Sequence, residues 1–445
     1  MKYLKLLILA PFVLLLGCEP EFDIPTPASG DADFSTYVAI GNSLTAGYTN
    51  GALYQEGQLN SYPLMLSNQF KLVGGGDFEQ PLITNPTLSF GGGTGRLRLG
   101  VGAGCDGVVG LAPTADVLDL AVALDHVSGS FGNLGVPSIR SVDINNPLFG
   151  TKMNDILGVI SGLGMGQNPF YQRFATNPGT STVITDAVDQ NPTFFTFWIG
   201  ANDVLLNATA GGGAGVTPIT DPTNFRTEVS GALNDLTTDG AKGAIATVPN
   251  ITAIPYFTTI PWNGLVLDQA NSDALNAAYA MAPHISFNPG ANGFVIADTA
   301  ALGGLRQIEQ GEYVLINASD TIKCGGAGSM SPLPPSFVLD ATEVNAVTTA
   351  TAGYNLAITE LAAQYDLALV DVNAFFDEAI TGLLYDGVTY SPAFISGGAF
   401  SLDGVHPTAR GYALISNEFI EAINGKYNSN IPTVQVHQYD GIVFP

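Results

Sequence analysis

The strongest constraint on the fold is a short apolar run that recurs along the chain. Residues 36–40 read TYVAI, 193–199 TFFTFWI, 243–248 GAIATV and 367–372 LALVDV. Each is rich in β-branched or aromatic residues, and each is too short for an ordinary helix. None alternates with polar residues, so each predicts a strand buried on both faces. A weaker run lies at 131–136. Between them, helical spacing predicts helices over 62–72, 225–236, 268–281, 342–365 and 408–423, the last following Pro407. Strands that alternate with helices imply an α/β fold with a parallel sheet covered on both sides. Ligands then bind at the carboxyl ends of the strands.

The chain has 445 residues, 46% of them hydrophobic, enough for one large core, here assigned to 34–445. Its 53 glycines and 27 prolines are spread out, which fits long loops rather than low complexity. Residues 74–110 are glycine-rich and are expected to form a flexible loop. Triple glycines occur there, but no Gly-Lys-Ser/Thr follows, so a phosphate-binding loop is not indicated. The stretches near 138–191 and 253–336 fit no minimal sheet. They are expected as insertions, either beside the active-site face as a lid or substrate wall, or as plain surface decoration.

Charge and targeting narrow the function. The chain has 14 Lys and Arg against 39 Asp and Glu, a net charge of −25. A field of that sign repels nucleic acid and anionic lipid headgroups, so no nucleic-acid partner is expected. Lys2 and Lys5 form a short basic region, and residues 6–16 are an apolar run too short to span a bilayer. The run closes on Leu15-Leu16-Gly17-Cys18, which resembles the bacterial lipobox. That resemblance implies export, a signal peptide over 1–17 and a lipid on Cys18. Residues 18–33 then form a tether to a membrane, expected to be the outer membrane, on its periplasmic or surface side. Cys105 and Cys324 remain, and an exported protein can pair them as a disulfide or keep two buried thiols.

Three short motifs carry the chemistry. Ser43 stands just after the first strand candidate, in Gly41-Asn42-Ser43-Leu44. Asn202 stands just after the TFFTFWI run, in Gly200-Ala201-Asn202-Asp203. His406 closes Asp403-Gly404-Val405-His406. A serine hydroxyl needs a base in hydrogen-bond reach, and the base needs an orienting group. Singly, Ser43 can be a helix cap, Asn202 a turn residue and the Asp403–His406 pair a coincidence. Jointly they supply nucleophile, base, orienter and an amide donor for an oxyanion. The other histidines, His126, His284 and His437, are read as structural or surface residues.

In this order the motifs resemble the SGNH/GDSL family of esterases and lipases. The resemblance implies a three-layer α/β/α fold with a flavodoxin-like parallel sheet, and hydrolysis of carboxylic esters with no metal or cofactor. It implies Ser43, Asp403 and His406 as catalytic residues, and Ser43, Ser138 and Asn202 as oxyanion-hole donors. Two positions depart from the family pattern. Asn42 replaces an aspartate, and Ser138 replaces the glycine expected at the end of Asn133-Leu134-Gly135-Val136-Pro137-Ser138. Gly135 is the alternative donor in that segment. The expected substrate is a lipid, an acetylated glycan or a small aryl ester. Acyl transfer to an alcohol would use the same residues, and a non-catalytic binding protein on this scaffold is the third reading. Met165, Phe170, Tyr171, Phe257 and Trp262 are candidates to line an acyl pocket, although such residues also serve as ordinary packing.

Overall fold

The protein is described by a computed structural model covering residues 26–85, 89–90, 95–105, 107–116, 125–152, 166–213 and 217–445. Five parallel strands form the central sheet: β1 (Tyr37–Gly41), β2 (Asn133–Gly135), β3 (Phe194–Trp198), β4 (Lys242–Ala246) and β5 (Ala368–Val370). They lie in the order β5-β4-β3-β1-β2. Read from the β2 edge this is 2-1-3-4-5, the flavodoxin-like order, whose winding reverses between β1 and β3. The register sets Ile40 beside Leu134 on one side and Phe197 on the other, and Gly41 beside Gly135 and Trp198. Every residue of β1, β2 and β3 is buried, as their unbroken apolar sequences require.

Helices cover both faces. On one lie α2 (Tyr62–Lys71) and α6 (Ala409–Tyr427), joined where the Tyr62 and Phe419 rings stack at 4.8 Å. On the other lie α4 (Pro222–Thr237) and α5 (Ala341–Gln364), joined by Phe225 stacked on Tyr354 at 4.3 Å. Trp198 is fully buried, and its indole N–H donates to the Thr247 carbonyl at 3.1 Å, so no polar atom of that ring is left unpaired. Two short helices lead off the strands that carry the motifs: α1 (Ser43–Ala46) after β1, and α3 (Ala201–Ala208) after β3.

The glycine-rich stretch differs from expectation. It contains an antiparallel hairpin, Leu97–Ala103 against Val109–Ala115, largely exposed. The alternating LRLGVGA pattern is a strand signal that the surrounding glycines obscure. Cys105, in its turn, is bonded to Cys324, with Cα atoms 5.8 Å apart. A two-stranded hairpin is marginally stable alone, and this bond ties it to the rest of the chain. The region 253–336 holds two small apolar clusters of its own, one around Phe294, Ile308 and Leu333, the other around Ile285, Phe287 and Val295.

Candidate active site

The turns that follow β1 and β3 set the site. Asn42 follows β1 and caps α1, its side-chain oxygen accepting the Leu44 N–H at 2.9 Å. An aspartate would accept the same bond, so the departure from the family pattern keeps the local hydrogen bonding. Ser43 is therefore the first residue of α1, where a backbone N–H has no intrahelical partner. Gly200 follows β3 with φ of 121°, in the region that favours glycine. A Cβ there would lie 2.5 Å from the Val248 side chain. This turn sets Asn202 in the first turn of α3.

The three motifs meet. The Ser43 hydroxyl lies 2.8 Å from Nε2 of His406, and Nδ1 of His406 lies 2.8 Å from Oδ2 of Asp403. Ser43 is buried with 8% exposure, and the His406 and Asp403 side chains each retain 13%. Asp403 is held by more than the histidine. Its Oδ1 accepts the N–H groups of Val405 and His406, both at 2.8 Å, and the Ser401 hydroxyl at 3.1 Å. Its Oδ2 also accepts the Gly51 N–H at 2.7 Å. Burial alone would raise this carboxyl. The charge of His406 and the bonds from its ring, its backbone and Val405 outweigh that effect and hold it at about 2. It is a fixed anion at neutral pH, suited to orienting an imidazole and stabilising its charged form.

Several residues that brace the site carry no sequence signal. The Asn50 N–H donates to the Ser401 hydroxyl at 3.0 Å, and the Asn50 side-chain oxygen accepts the Leu402 N–H at 3.2 Å. The Tyr48 ring lies 4.6 Å from that of His406, and the Tyr412 hydroxyl donates to the Tyr48 carbonyl at 2.6 Å. The turn 48–51 thus grips the DGVH loop from the β1 side. From the other side, the Tyr256 N–H donates to the Gly404 carbonyl at 2.9 Å. Contacts between segments some 350 residues apart leave no local periodicity to read.

The two candidate donors, Gly135 at the end of β2 and Ser138 in the turn after it, differ in availability. The Gly135 N–H is taken by Oδ1 of Asn133 at 2.9 Å, and a Cβ on Gly135 would lie 2.2 Å from the Ala46 nitrogen. That glycine lets β2 pack against α1. Ser138 has φ of 67°, which explains why a glycine is expected at its position. Among the described residues its N–H makes no hydrogen bond. The loop that presents it is pinned at three points. The Asn168 amide donates to the Pro137 carbonyl at 2.8 Å. The Asn202 amide donates to the Ile139 carbonyl at 3.0 Å, which uses one of its two hydrogens. The Ser141 hydroxyl and N–H donate to buried Asp203 at 2.5 and 3.0 Å. Burial raises the Asp203 carboxyl, and these bonds oppose the rise.

Other predicted residues stand apart. His126 and His284 are exposed, each with Nε2 near a backbone carbonyl, Ala175 and Leu305, and His437 is exposed. Phe170, Tyr171 and Phe257 are buried in the main core, where they pack. Trp262 packs against the Phe294 cluster. Cys18 and Met165 lie outside the described residues. Among the described residues no cluster of His, Cys, Asp and Glu could hold a metal.

A profile of the GDSL-like lipase/acylhydrolase family matches residues 37–419, from the first strand into α6. The chain belongs to this family. It is a hydrolase of ester bonds, on a fold whose sheet order and switch-point site are those described above. No curated protein matches the sequence significantly. Solved structures similar to this GDSL-family chain are distant. LAE5, an α/β hydrolase from the metagenome of Lake Arreo, Spain, is 12% identical with a TM-score of 0.37, over 89% of this chain and 98% of that one. A GDSL-like lipase from Parabacteroides merdae is 10% identical with a TM-score of 0.33, over 89% and 99%. A variant of Axe2, an acetyl-xylooligosaccharide esterase from Geobacillus stearmophilus, is 10% identical with a TM-score of 0.35, over 88% and 96%.

Proposed function

We propose that this GDSL-family hydrolase is an exported, lipid-anchored serine esterase that works through an acyl-enzyme on Ser43. The observation that carries the mechanism is the pair of 2.8 Å contacts linking Ser43 to His406 and His406 to Asp403. In this reading His406 takes the Ser43 proton as the hydroxyl attacks the ester carbonyl. Asp403, anionic at neutral pH, stabilises the imidazolium that forms. The Ser43 and Ser138 N–H groups and the Asn202 amide receive the oxyanion. Occupancy of the Gly135 N–H favours Ser138 as the donor after β2. His406 then protonates the leaving alcohol and activates water to release the acyl group.

The anchor rests on the basic N-terminus, the apolar run and the Leu15-Leu16-Gly17-Cys18 sequence. It places the enzyme on a bacterial membrane, the outer membrane in this reading. The test combines p-nitrophenyl esters of rising chain length with acetylated glycans, run on wild type and Ser43→Ala. Wild type should turn over at least one class, and Ser43→Ala should show none above background. Equal rates would refute the assignment of Ser43. Adding an acceptor alcohol and measuring the acylated product separates hydrolysis from acyl transfer, which would use the same residues. Cys18→Ser should release the protein from membranes; unchanged retention would refute the anchor.

A further inference from the structure

We infer that the catalytic face points away from the membrane that carries the anchor. Its substrates are then acyl esters on polar, water-borne carriers rather than the lipids of that membrane. The inference rests on the proposed anchor at Cys18 and nucleophile at Ser43. Its structural basis is where residues 26–31 are held. Asp31 donates its N–H to the Tyr427 carbonyl at 2.7 Å, and its carboxylate accepts the Asn428 amide at 2.8 Å. The Asn430 amide donates to the Thr26 carbonyl at 3.0 Å. Lys242, the first residue of β4, donates its ammonium to the Asp31 carbonyl. Residues 26–31, expected as part of the 18–33 tether, are therefore packed against the body at the amino ends of the strands and the carboxyl end of α6.

The candidate site lies at the opposite ends of the same elements. α6 begins at Ala409, three residues after His406, and runs for 19 residues to Tyr427. At 1.5 Å per residue it is a ruler of about 28 Å between the site and the base of the tether. Eight residue steps separate Cys18 from Thr26, a reach of at most ~26–29 Å when fully extended. With the site pressed to the bilayer, Thr26 would stand about 28 Å above it, a height the eight-step tether spans only when fully extended.

The test uses the full-length lipidated protein in phosphatidylcholine vesicles. One fluorescent probe is delivered to Ser43 as a fluorophosphonate. A second is attached by a thiol label to Gly425→Cys, an open position on the last turn of α6. Energy transfer to a lipid-borne acceptor should place the Ser43 probe about 24 Å farther from the bilayer than the Gly425 probe. Equal distances, or a Ser43 probe nearer the bilayer, would overturn the inference. In parallel, the anchored and Cys18→Ser forms should deacetylate a soluble acetylated polysaccharide with kcat/KM equal within about twofold, the scatter of mutational effects on independent sites. The anchored form should release fatty acid from its own vesicles no faster than Ser43→Ala; faster release overturns the inference. Failure of the fluorophosphonate to label Ser43 would defeat the hydrolase reading. Retention of Cys18→Ser on membranes would defeat the anchor. Either failure takes the inference with it, and both differ from a wrong orientation.

Discussion

Replacing Asp403 with asparagine is the sharpest perturbation, because the surroundings dictate how the amide must sit. Oδ1 accepts two backbone N–H groups, and Oδ2 accepts one together with the His406 ring. An amide NH2 at the Oδ1 position would face the Val405 and His406 N–H groups, and two donors would lose their acceptor. The NH2 at the Oδ2 position strands only the Gly51 N–H, so that orientation should win. It then donates to Nδ1 of His406, which leaves the hydrogen on Nε2, facing Ser43. The imidazole can no longer accept the serine proton. A wrong tautomer of this kind lowers kcat by about 10⁴-fold in a serine triad.

Stability should follow the charge. The Asp403 carboxyl drops from 3.8 to about 2 on folding, a contribution of about 2 kcal/mol. Because the folded value is the depressed one, that contribution is complete above about pH 4 and disappears as pH falls through 2. The stability difference between wild type and Asp403→Asn, read by urea titration, should therefore shrink by about 1 kcal/mol between pH 7 and pH 3. Steady-state hydrolysis of p-nitrophenyl acetate supplies kcat. A folded Asp403→Asn protein with kcat within tenfold of wild type would refute the tautomer argument. A stability difference independent of pH would refute the charge argument.

Other variants probe the remaining parts. Asn202→Ala should lower kcat by about 10²–10³-fold through loss of one oxyanion donor, and should cost about 1–3 kcal/mol by stranding the Ile139 carbonyl, read by kinetics and thermal melting. Ser138→Gly keeps the N–H and relieves a left-handed backbone, so kcat should hold and the melting temperature should not fall; Gly135→Ala forces a Cβ against Ala46 and should lower both. Glu418 is raised to about 7 by burial, with Glu421 and Glu378 adding to the rise. A raised folded value means the native state holds the extra proton between about pH 4.5 and 7. Wild type should lose stability as pH rises through that window, and Glu418→Gln should flatten the slope, read from melting temperature against pH.

How much could be read from sequence followed the range of the interactions. The buried strands were legible because residues such as Phe194–Trp198 must be apolar on both faces. Ser43, Asn202, Asp403 and His406 were legible as motifs because each sits in a short turn with its own residue requirements. The hairpin Leu97–Ala103 with Val109–Ala115 was hidden by its glycines. The braces were not legible at all. Asn50, Ser401, Tyr48 and Asn168 act on partners brought near only by the completed sheet. The choice between Ser138 and Gly135 needed the Asn133 side chain, whose bond to Gly135 no spacing rule encodes.

The most direct test of the account is to trap the acyl-enzyme. Wild type mixed rapidly with p-nitrophenyl acetate and quenched in acid should release a burst of about one p-nitrophenol per active site. Peptide mass spectrometry should find the acetyl group on Ser43, and His406→Ala should show neither burst nor adduct. An acetyl group on another residue, or turnover with Ser43 unmodified and replaceable by alanine, would contradict the account.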